Sequence, residues 1–451
     1  MTPLKFYPMV TFFRFSSKPA CILACALALC VGCNDDDKKG GTSSKESLAL
    51  TSFHPNYGKY QEKVILQGKG FGDPSQMRVY FNQRKAPVIG VSRDGTELYV
   101  QAPRLPGDTC VISVSNGKDS LSYEETFAYT VSTTVTTVCG NGTGIYKAGD
   151  LSEAQVSPYY CCVDSSENVF VIDHSSSNGD GGSVNGIARI DFKTNELVTI
   201  STQYYANVPC VDPVTQKVMA PTETTVGMFV EMDPKEMWGL RVRDFGAKID
   251  WSKSSAGRPA NGYKHTFVVN PYDGFIYTRF YYGQVVKINP VTYEAEVVCD
   301  TPNGDSFGLT FRPTDPNVLY VACWSNMTGM ANSIAKVDLN KDKPEMEKLT
   351  SGITGHRDGK IAEARFNCPA QLFSDNDGNI YVADCDNHCI RRITPENQVE
   401  TVLGVPGKSG WKDGTKEEAL FKYPRGIGIS KDGSVYVADF GNRRVRKLSI
   451  N

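Results

Sequence analysis

Between residues 358 and 446 one pattern is written twice, 55 residues apart. The first copy runs Asp358-Gly359, Ala364, Phe366, Pro369, Asp377-Gly378, Tyr381-Val382-Ala383-Asp384, Asn387 and Arg391. The second runs Asp413-Gly414, Ala419, Phe421, Pro424, Asp432-Gly433, Tyr436-Val437-Ala438-Asp439, Asn442 and Arg446. A register kept over so many positions means that one structural unit recurs. Tyr436-Val437-Ala438 and Val445-Arg446-Lys447-Leu448 read as short strands, with tight turns at Asp432-Gly433 and Gly441-Asn442. Gly426-Ile427-Gly428-Ile429 reads as a further strand, its glycines suited to a close approach of backbones. Val399 to Leu403 supplies a fourth. Four short strands without helical periodicity describe one small antiparallel sheet.

Weaker copies lie upstream. Each ends in a third strand with a hydrophobic last residue, at Ile190, Met232, Ile288, Val337, Ile393 and Leu448. That gives six units between about residues 131 and 451. A lone four-stranded sheet leaves its faces open, whereas six arranged radially cover one another, which is a β-propeller. Thr136-Thr137-Val138-Cys139-Gly140 matches the fourth strand Glu400-Thr401-Val402-Leu403-Gly404 but has no blade before it. It is expected to complete the last blade beside Val445 to Leu448 and so close the ring.

The two clear copies resemble NHL repeats, and the resemblance implies an NHL-type propeller over 131–451. In the weak blades the Asp-Gly turn is replaced, as at Asp212-Pro213-Val214-Thr215. Residues 48–130 carry five strand-like runs, around Val64-Ile65-Leu66, Val79-Tyr80-Phe81, Leu98-Tyr99-Val100, Val111 to Val114 and Phe127-Ala128-Tyr129, at sandwich spacing. Gly68-Lys69-Gly70-Phe71-Gly72 and the corner Val100-Gln101-Ala102-Pro103 resemble an IPT/TIG domain, which implies an immunoglobulin-like sandwich. The expected fold is therefore all-β, a sandwich followed by a six-bladed propeller.

Residues 1–33 read as a targeting segment: Lys5, Arg14 and Lys18, then a short apolar run from Ala20 to Gly32. Val31-Gly32-Cys33 resembles a bacterial lipobox, with Cys30 where Leu is usual. It implies cleavage before Cys33 and lipidation there. Asn34-Asp35-Asp36-Asp37 resembles the acidic export signal of Bacteroidota surface lipoproteins. Together these imply an outer-membrane protein, lipid-anchored and facing the exterior. Residues 34–47 are polar and charged, and read as a flexible tether.

The chain has 48 Lys plus Arg against 50 Asp plus Glu, and no basic patch that suggests nucleic acid. Of its 14 cysteines, Cys21, Cys25, Cys30 and Cys33 belong to the leader. No paired metal-ligand motif appears among the rest. Cys385 and Cys389 flank a tight loop and leave a disulfide, a metal site or free thiols open. Asp375 to Asn379 is partly calcium-loop-like but occupies the turn of the repeat.

In a propeller the second-to-third loops and the blade-to-blade connections converge on one side. His174 and His388 fall in the former, and His265 and His356 in or beside the latter. Tyr204, Tyr205, Trp251 and Trp411 belong to connections, and Tyr281, Tyr282 and Trp324 to second-to-third loops. Aromatic rings stack on sugars and offer a polar edge, with Arg279 and Asn326 as hydrogen-bonding neighbours. The expectation is a ligand-binding face, with no metal or other cofactor. The ligand class implied by the lipoprotein resemblance is a polysaccharide or oligosaccharide, captured for an outer-membrane uptake complex. Two alternatives stay open: a propeller lyase, lactonase or hydrolase with a histidine-lined funnel, and a scaffold for protein partners.

Overall fold

The computed structural model describes residues 47–104, 109–175 and 184–450. Cys33, the leader and nearly all of the tether lie outside the described residues. Among the described residues, every regular element longer than three residues is a strand, and no helix is long and apolar enough to cross a membrane.

In Lys63–Lys69 side chains alternate between core and surface, with Val64 and Leu66 buried. Glu97–Gln101 and Thr109–Ser115 do the same. A period of two is what a half-buried strand requires. The inward residues belong to two sheets. One is ordered Ala49–His54, Lys63–Lys69, Glu97–Gln101, Val88–Val91. The other is ordered Tyr57–Gly58, Ser120–Tyr129, Thr109–Ser115, Arg78–Phe81, Arg84–Ala86. Phe53, Leu66, Phe81, Val100, Ile112 and Phe127 share the core between them. Sequence reading finds five of these strands. It misses Ala49–His54, Tyr57–Gly58, Arg84–Ala86 and Val88–Val91, which are short or mix polar residues into the run.

The rest of the described chain forms six sheets of four principal strands. Ile190, Met232, Ile288, Val337 and Ile393 are fully buried on the third strands, and Leu448 nearly so. The first strands are Pro158–Val163, Cys210–Val211, Lys264–Val269, Gly308–Arg312, Pro369–Ser374 and Pro424–Ile429, for blades 1 to 6 in turn. Those of blades 1 to 5 line a central cavity of about 260 Å³ that reaches the first-to-second turns at Pro213, Pro271, Pro313 and Asn376. Thr133–Cys139 is the fourth strand of blade 6, antiparallel to Arg444–Ile450, with Thr136 opposite Lys447 and Cys139 opposite Val445. The ring is closed by this pairing of its two ends.

Inner strands have no fifth strand to pair with, so their backbone groups need other partners. Gln371, on the first strand of blade 5, supplies some. Its Nε2 donates to Cys161 O at 2.7 Å and Ile427 O at 3.0 Å, and its Oε1 accepts from Ile427 N at 3.3 Å. The same close approach explains Gly426, where a Cβ atom would stand 2.6 Å from Tyr160 Cα.

The pattern written twice corresponds to a buried network. Arg391 donates to Asp384 at 2.8 Å, to Asp358 at 2.9 Å and to the carbonyls of Arg365 and Arg357. Arg446 repeats this with Asp439, Asp413, Leu420 O and Lys412 O. Each guanidinium also lies over a ring, Phe366 or Phe421. Asn387 and Asn442 donate to the same buried aspartates. Each network therefore ties a blade to the connection that precedes it. Cys385 and Cys389 are buried free thiols. Asp375 is the head of a turn, accepting from Asp377 N and Asn379 N.

Arg104 joins the sandwich to blade 6. It pairs with Asp432 and donates to Ile450 O at 2.7 Å and Ser434 Oγ at 3.3 Å. Asp432 lies in the turn between first and second strands, on the side of the ring away from the second-to-third loops.

Asp439 is fully buried, whereas the Asp413 side chain is 39% exposed. Asp439→Asn strands half of a buried ion pair and is expected to cost about 3–5 kcal/mol. Asp413→Asn is expected to cost markedly less. Denaturant unfolding of the two variants measures the difference, and equal losses would contradict the network as the source of stability.

Candidate functional site

Strands alternate in direction within each blade, so every first strand starts on the side where the second-to-third loops emerge. We term this side the mouth. Residues at the starts of the first strands therefore surround the central axis on this side, close to the loops.

The rings there form one continuous set. Tyr205 stacks on His174 at 4.1 Å between centroids, and His174 lies 4.3 Å from Tyr159. Tyr159 meets Phe440 at 4.3 Å. The Arg425 guanidinium lies over Tyr159 at 4.8 Å, Trp324 at 5.1 Å and Phe440 at 5.2 Å. Trp324 meets Phe307 edge-on at 5.0 Å, and Phe307 lies 4.6 Å from His265. Tyr159, Phe307, Trp324 and Phe440 are half-buried and Tyr205 is exposed, so the set presents apolar surface to solvent. Blades 1, 3, 4 and 6 and two connections contribute to it.

Hydrogen-bonding groups flank the rings. His265 is buried between two carboxylates, with Nε2 3.2 Å from Glu223 and Nδ1 3.6 Å from Asp305. Asn207 Nδ2 donates to Glu223 at 2.7 Å. Burial opposes ionisation of Glu223, but His265 and Asn207 outweigh it and hold the carboxyl below its usual range. Asn326 grips Asp305 twice, donating to its carboxylate and accepting from its N–H. Beneath Glu223, the Lys264 ammonium donates to Thr222 O, Thr225 O and Gly262 O. Burial draws its pKa down to about 7, although three carbonyls suit three ammonium protons. These bonds pin the loop that presents Glu223.

His174 donates from Nε2 to Ala206 O at 2.9 Å, which leaves Nδ1 as the bare nitrogen of a neutral ring. That atom is buried without a partner.

Of the side chains singled out from sequence, His174, His265, Tyr205 and Trp324 come together here. Tyr204 packs beside them on the core of blades 1 and 2. The others are occupied elsewhere. Arg279 is fully buried and donates to Thr301 Oγ1, Gly304 O, Ser306 Oγ and Pro302 O; it is a structural strut, because its whole fork is turned inward. Trp251 packs on Phe280. Trp411 stacks under Arg444 at 3.8 Å and donates to Thr137. Tyr281 and Tyr282 pack on each other, and the Tyr282 hydroxyl meets Asn261. His356 bonds Thr401 on the outer strand of blade 5, and His388 accepts from Tyr423 N. The four histidines thus divide into two pairs with different surroundings. Among the described residues no three His, Cys, Asp or Glu side chains converge as metal ligands.

Tyr159, Asn207, Glu223, Asp305, Phe307 and Arg425 escape a search confined to loop histidines and aromatics. One signal was available. The repeat aligns Arg425 with Ala370, and a long cation replacing a small residue at a shared inner position marks a place that has departed from the scaffold.

Two family models match the chain: IPT/TIG domain over residues 48–129, and NHL repeat over 366–393 and 421–448. Protein SUPPRESSOR OF QUENCHING 1, chloroplastic, of Arabidopsis thaliana is 35% identical over 97 residues, 22% of this chain and 9% of that protein. Human NHL repeat-containing protein 3 is 28% identical over 95 residues, 21% of this chain and 26% of that protein. The chain thus spans about a quarter or less of these curated relatives. Among solved structures, a protein of unknown function from Bacteroides thetaiotaomicron aligns with a TM-score of 0.68 at 22% identity, over 91% of this chain and 99% of its own. An auxiliary nutrient binding protein from Bacteroides ovatus aligns with a TM-score of 0.60 at 20% identity, over 90% and 99%. At these identities the likeness is one of fold.

Burial lowers the pKa of His174 to about 4. The folded ring is therefore expected to stay neutral from about pH 8 down to about pH 5, where an ordinary histidine is already mostly charged. NMR of the ring resonances checks this, and an inflection near the usual histidine value would contradict the burial.

Proposed function

We propose that this chain, an IPT/TIG domain followed by a six-bladed NHL-repeat propeller, is a surface lipoprotein that binds a glycan at the mouth of the propeller and presents it to an uptake system. The observation that carries this reading is the row of partly exposed rings, Tyr205, Tyr159, Trp324 and Phe307, beside oriented acceptors at Glu223 and Asp305. Sugars offer apolar faces to rings and hydroxyls to carboxylates, and the mouth has both within one opening. The description of one structural relative as an auxiliary nutrient binding protein points the same way. The anchor rests on Val31-Gly32-Cys33 and the acidic run Asp35-Asp36-Asp37.

Arg104 supports the orientation this role needs. It holds the sandwich against a turn of blade 6 on the side opposite the mouth.

A propeller enzyme is the second reading, favoured by His265 between Glu223 and Asp305, an arrangement that orients an imidazole. It predicts turnover that His265→Gln abolishes while ligand binding persists.

On affinity gels carrying a polysaccharide that retards the protein, Trp324→Ala and Tyr205→Ala are each expected to weaken retention by about two- to tenfold, the range for losing one ring contact. Trp411→Ala, remote from the mouth, is expected to leave retention unchanged. Equal effects at Trp324 and Trp411 would contradict the mouth as the site. In cells, Cys33→Ala is expected to shift the protein from the membrane to the soluble fraction, and an unchanged membrane fraction would remove the lipid anchor.

A further inference from the structure

Six arginines of the described chain lie over aromatic rings: Arg243, Arg312, Arg391, Arg425, Arg444 and Arg446. Five of them also donate hydrogen bonds. Arg243 donates to Glu231, Arg312 to Thr394 O, and Arg444 to Asn442 O and Asn141 O. Arg391 and Arg446 have two aspartates each. Arg425 differs. Among the described residues it has no ion pair, its hydrogen-bonding neighbour is the neutral Tyr160 hydroxyl, and its Nε, like those of Arg312 and Arg444, is buried without a partner. Three rings and the nearby Tyr160 hydroxyl surround it.

A guanidinium removed from water without a counter-ion is costly, and ring faces offset only part of that cost. Buried cations are ordinarily paired. Arg425 is half-buried at the mouth end of its strand, so a partner can come from outside. We infer that Arg425 is the anion-binding group of the mouth, and that the glycan bound there carries a carboxylate, as uronic acids do. This inference rests on the glycan reading of the site and narrows it.

The rest of the mouth fits such a sugar. A planar fork matches a carboxylate bidentately. Trp324 and Tyr159, which flank the guanidinium, offer surfaces to the pyranose ring. Glu223 and Asp305 lie beyond Phe307 and are already held by Asn207, His265 and Asn326, so they face the hydroxyl end of the sugar as fixed acceptors. A neutral glycan would satisfy the rings and acceptors but leave the half-buried charge without a counter-ion.

The test uses the protein from residue 34 onward with its sandwich intact. Retention is compared on gels containing polygalacturonate, alginate or hyaluronan, on neutral dextran, xylan or mannan, and on dextran sulfate. The expected result is retention by at least one uronate polymer and loss of it when that polymer's carboxyls are methyl-esterified, a change that leaves the protein untouched. Arg425→Gln is expected to weaken uronate binding by about ten- to a hundredfold, the range for a charge-assisted hydrogen bond. Arg425→Lys, which keeps the charge but loses the fork, is expected to fall between. Thermal melting of both variants accompanies the gels, and the esterified polymer gives the answer if either variant fails to fold. Retention by neutral polymers alone, or uronate retention indifferent to esterification, overturns the carboxylate while the glycan reading stands. Retention by dextran sulfate as strong as by uronate also overturns it, showing a general polyanion site. No retention by any polymer overturns the glycan reading and this inference with it.

Discussion

The antiparallel pairing of Thr133–Cys139 with Arg444–Ile450 is the contact on which everything else in the propeller depends. It links residues more than three hundred positions apart. Without it blade 6 lacks its fourth strand and blade 1 loses the neighbour whose Tyr436, Ala438 and Val445 complete its core. The mouth is assembled from blades on both sides of that seam: Tyr159 and His174 from blade 1, Arg425 and Phe440 from blade 6. An open ring would separate the guanidinium from the ring it covers most closely. Closure is thus a condition for the site as well as for stability.

Within the closed ring, the buried networks around Arg391 and Arg446 stabilise places that other propellers could leave to loop packing. Each gathers a connection, a second strand and a third strand around one cation. Arg391, Arg446, Asp384 and Asp439 lie in an interior where an unpaired charge is heavily penalised and a paired one is specific in geometry. Arg279 does a comparable job in blade 3 with carbonyls and hydroxyls in place of carboxylates. The contrast with Arg425 is one of surroundings. The same side chain is a strut where acceptors converge on it and lacks a counter-ion where three rings and one hydroxyl surround it.

Much of the scaffold was legible because repetition amplifies weak signals. Short strands such as Tyr436-Val437-Ala438 are ambiguous singly, but two copies in register, with the aspartates and arginine at fixed offsets, identify a blade. The closing strand was legible for the same reason, since Thr136 to Gly140 matches a fourth strand that has no blade of its own. The site was less legible. Loop position identified His174, His265, Tyr205 and Trp324, but it also selected Arg279, which turns into the protein, and Trp251 and Trp411, which pack on Phe280 and Arg444 outside the set. Topology gives the side on which a loop emerges and says nothing of the radius at which its side chain comes to rest. Tyr159, Phe307 and Arg425 were missed because they begin or precede inner strands, where sequence patterns suggest core. Their exposure follows from the central opening, a feature of the assembled ring that no single blade contains.

That geometry separates two demands that usually conflict. Inner-strand positions toward the turn side, such as Gln371 and Gly426, hold neighbouring strands together and tolerate little change: Gln371 supplies hydrogen bonds to two adjacent blades, and Gly426 has no room for a side chain. One residue away, at the mouth end, the side chain meets the second-to-third loops and connections instead of a neighbouring backbone. Ala370 and Arg425 occupy equivalent positions in the repeat, yet one is a small core residue and the other a cation over three rings. The scaffold can therefore accept a new charge or ring at its mouth without disturbing the contacts that close it. Tyr159, His265 and Arg425 are the second residues of strands, and Phe307 lies just before the first residue of another, whose remaining residues are committed to the fold.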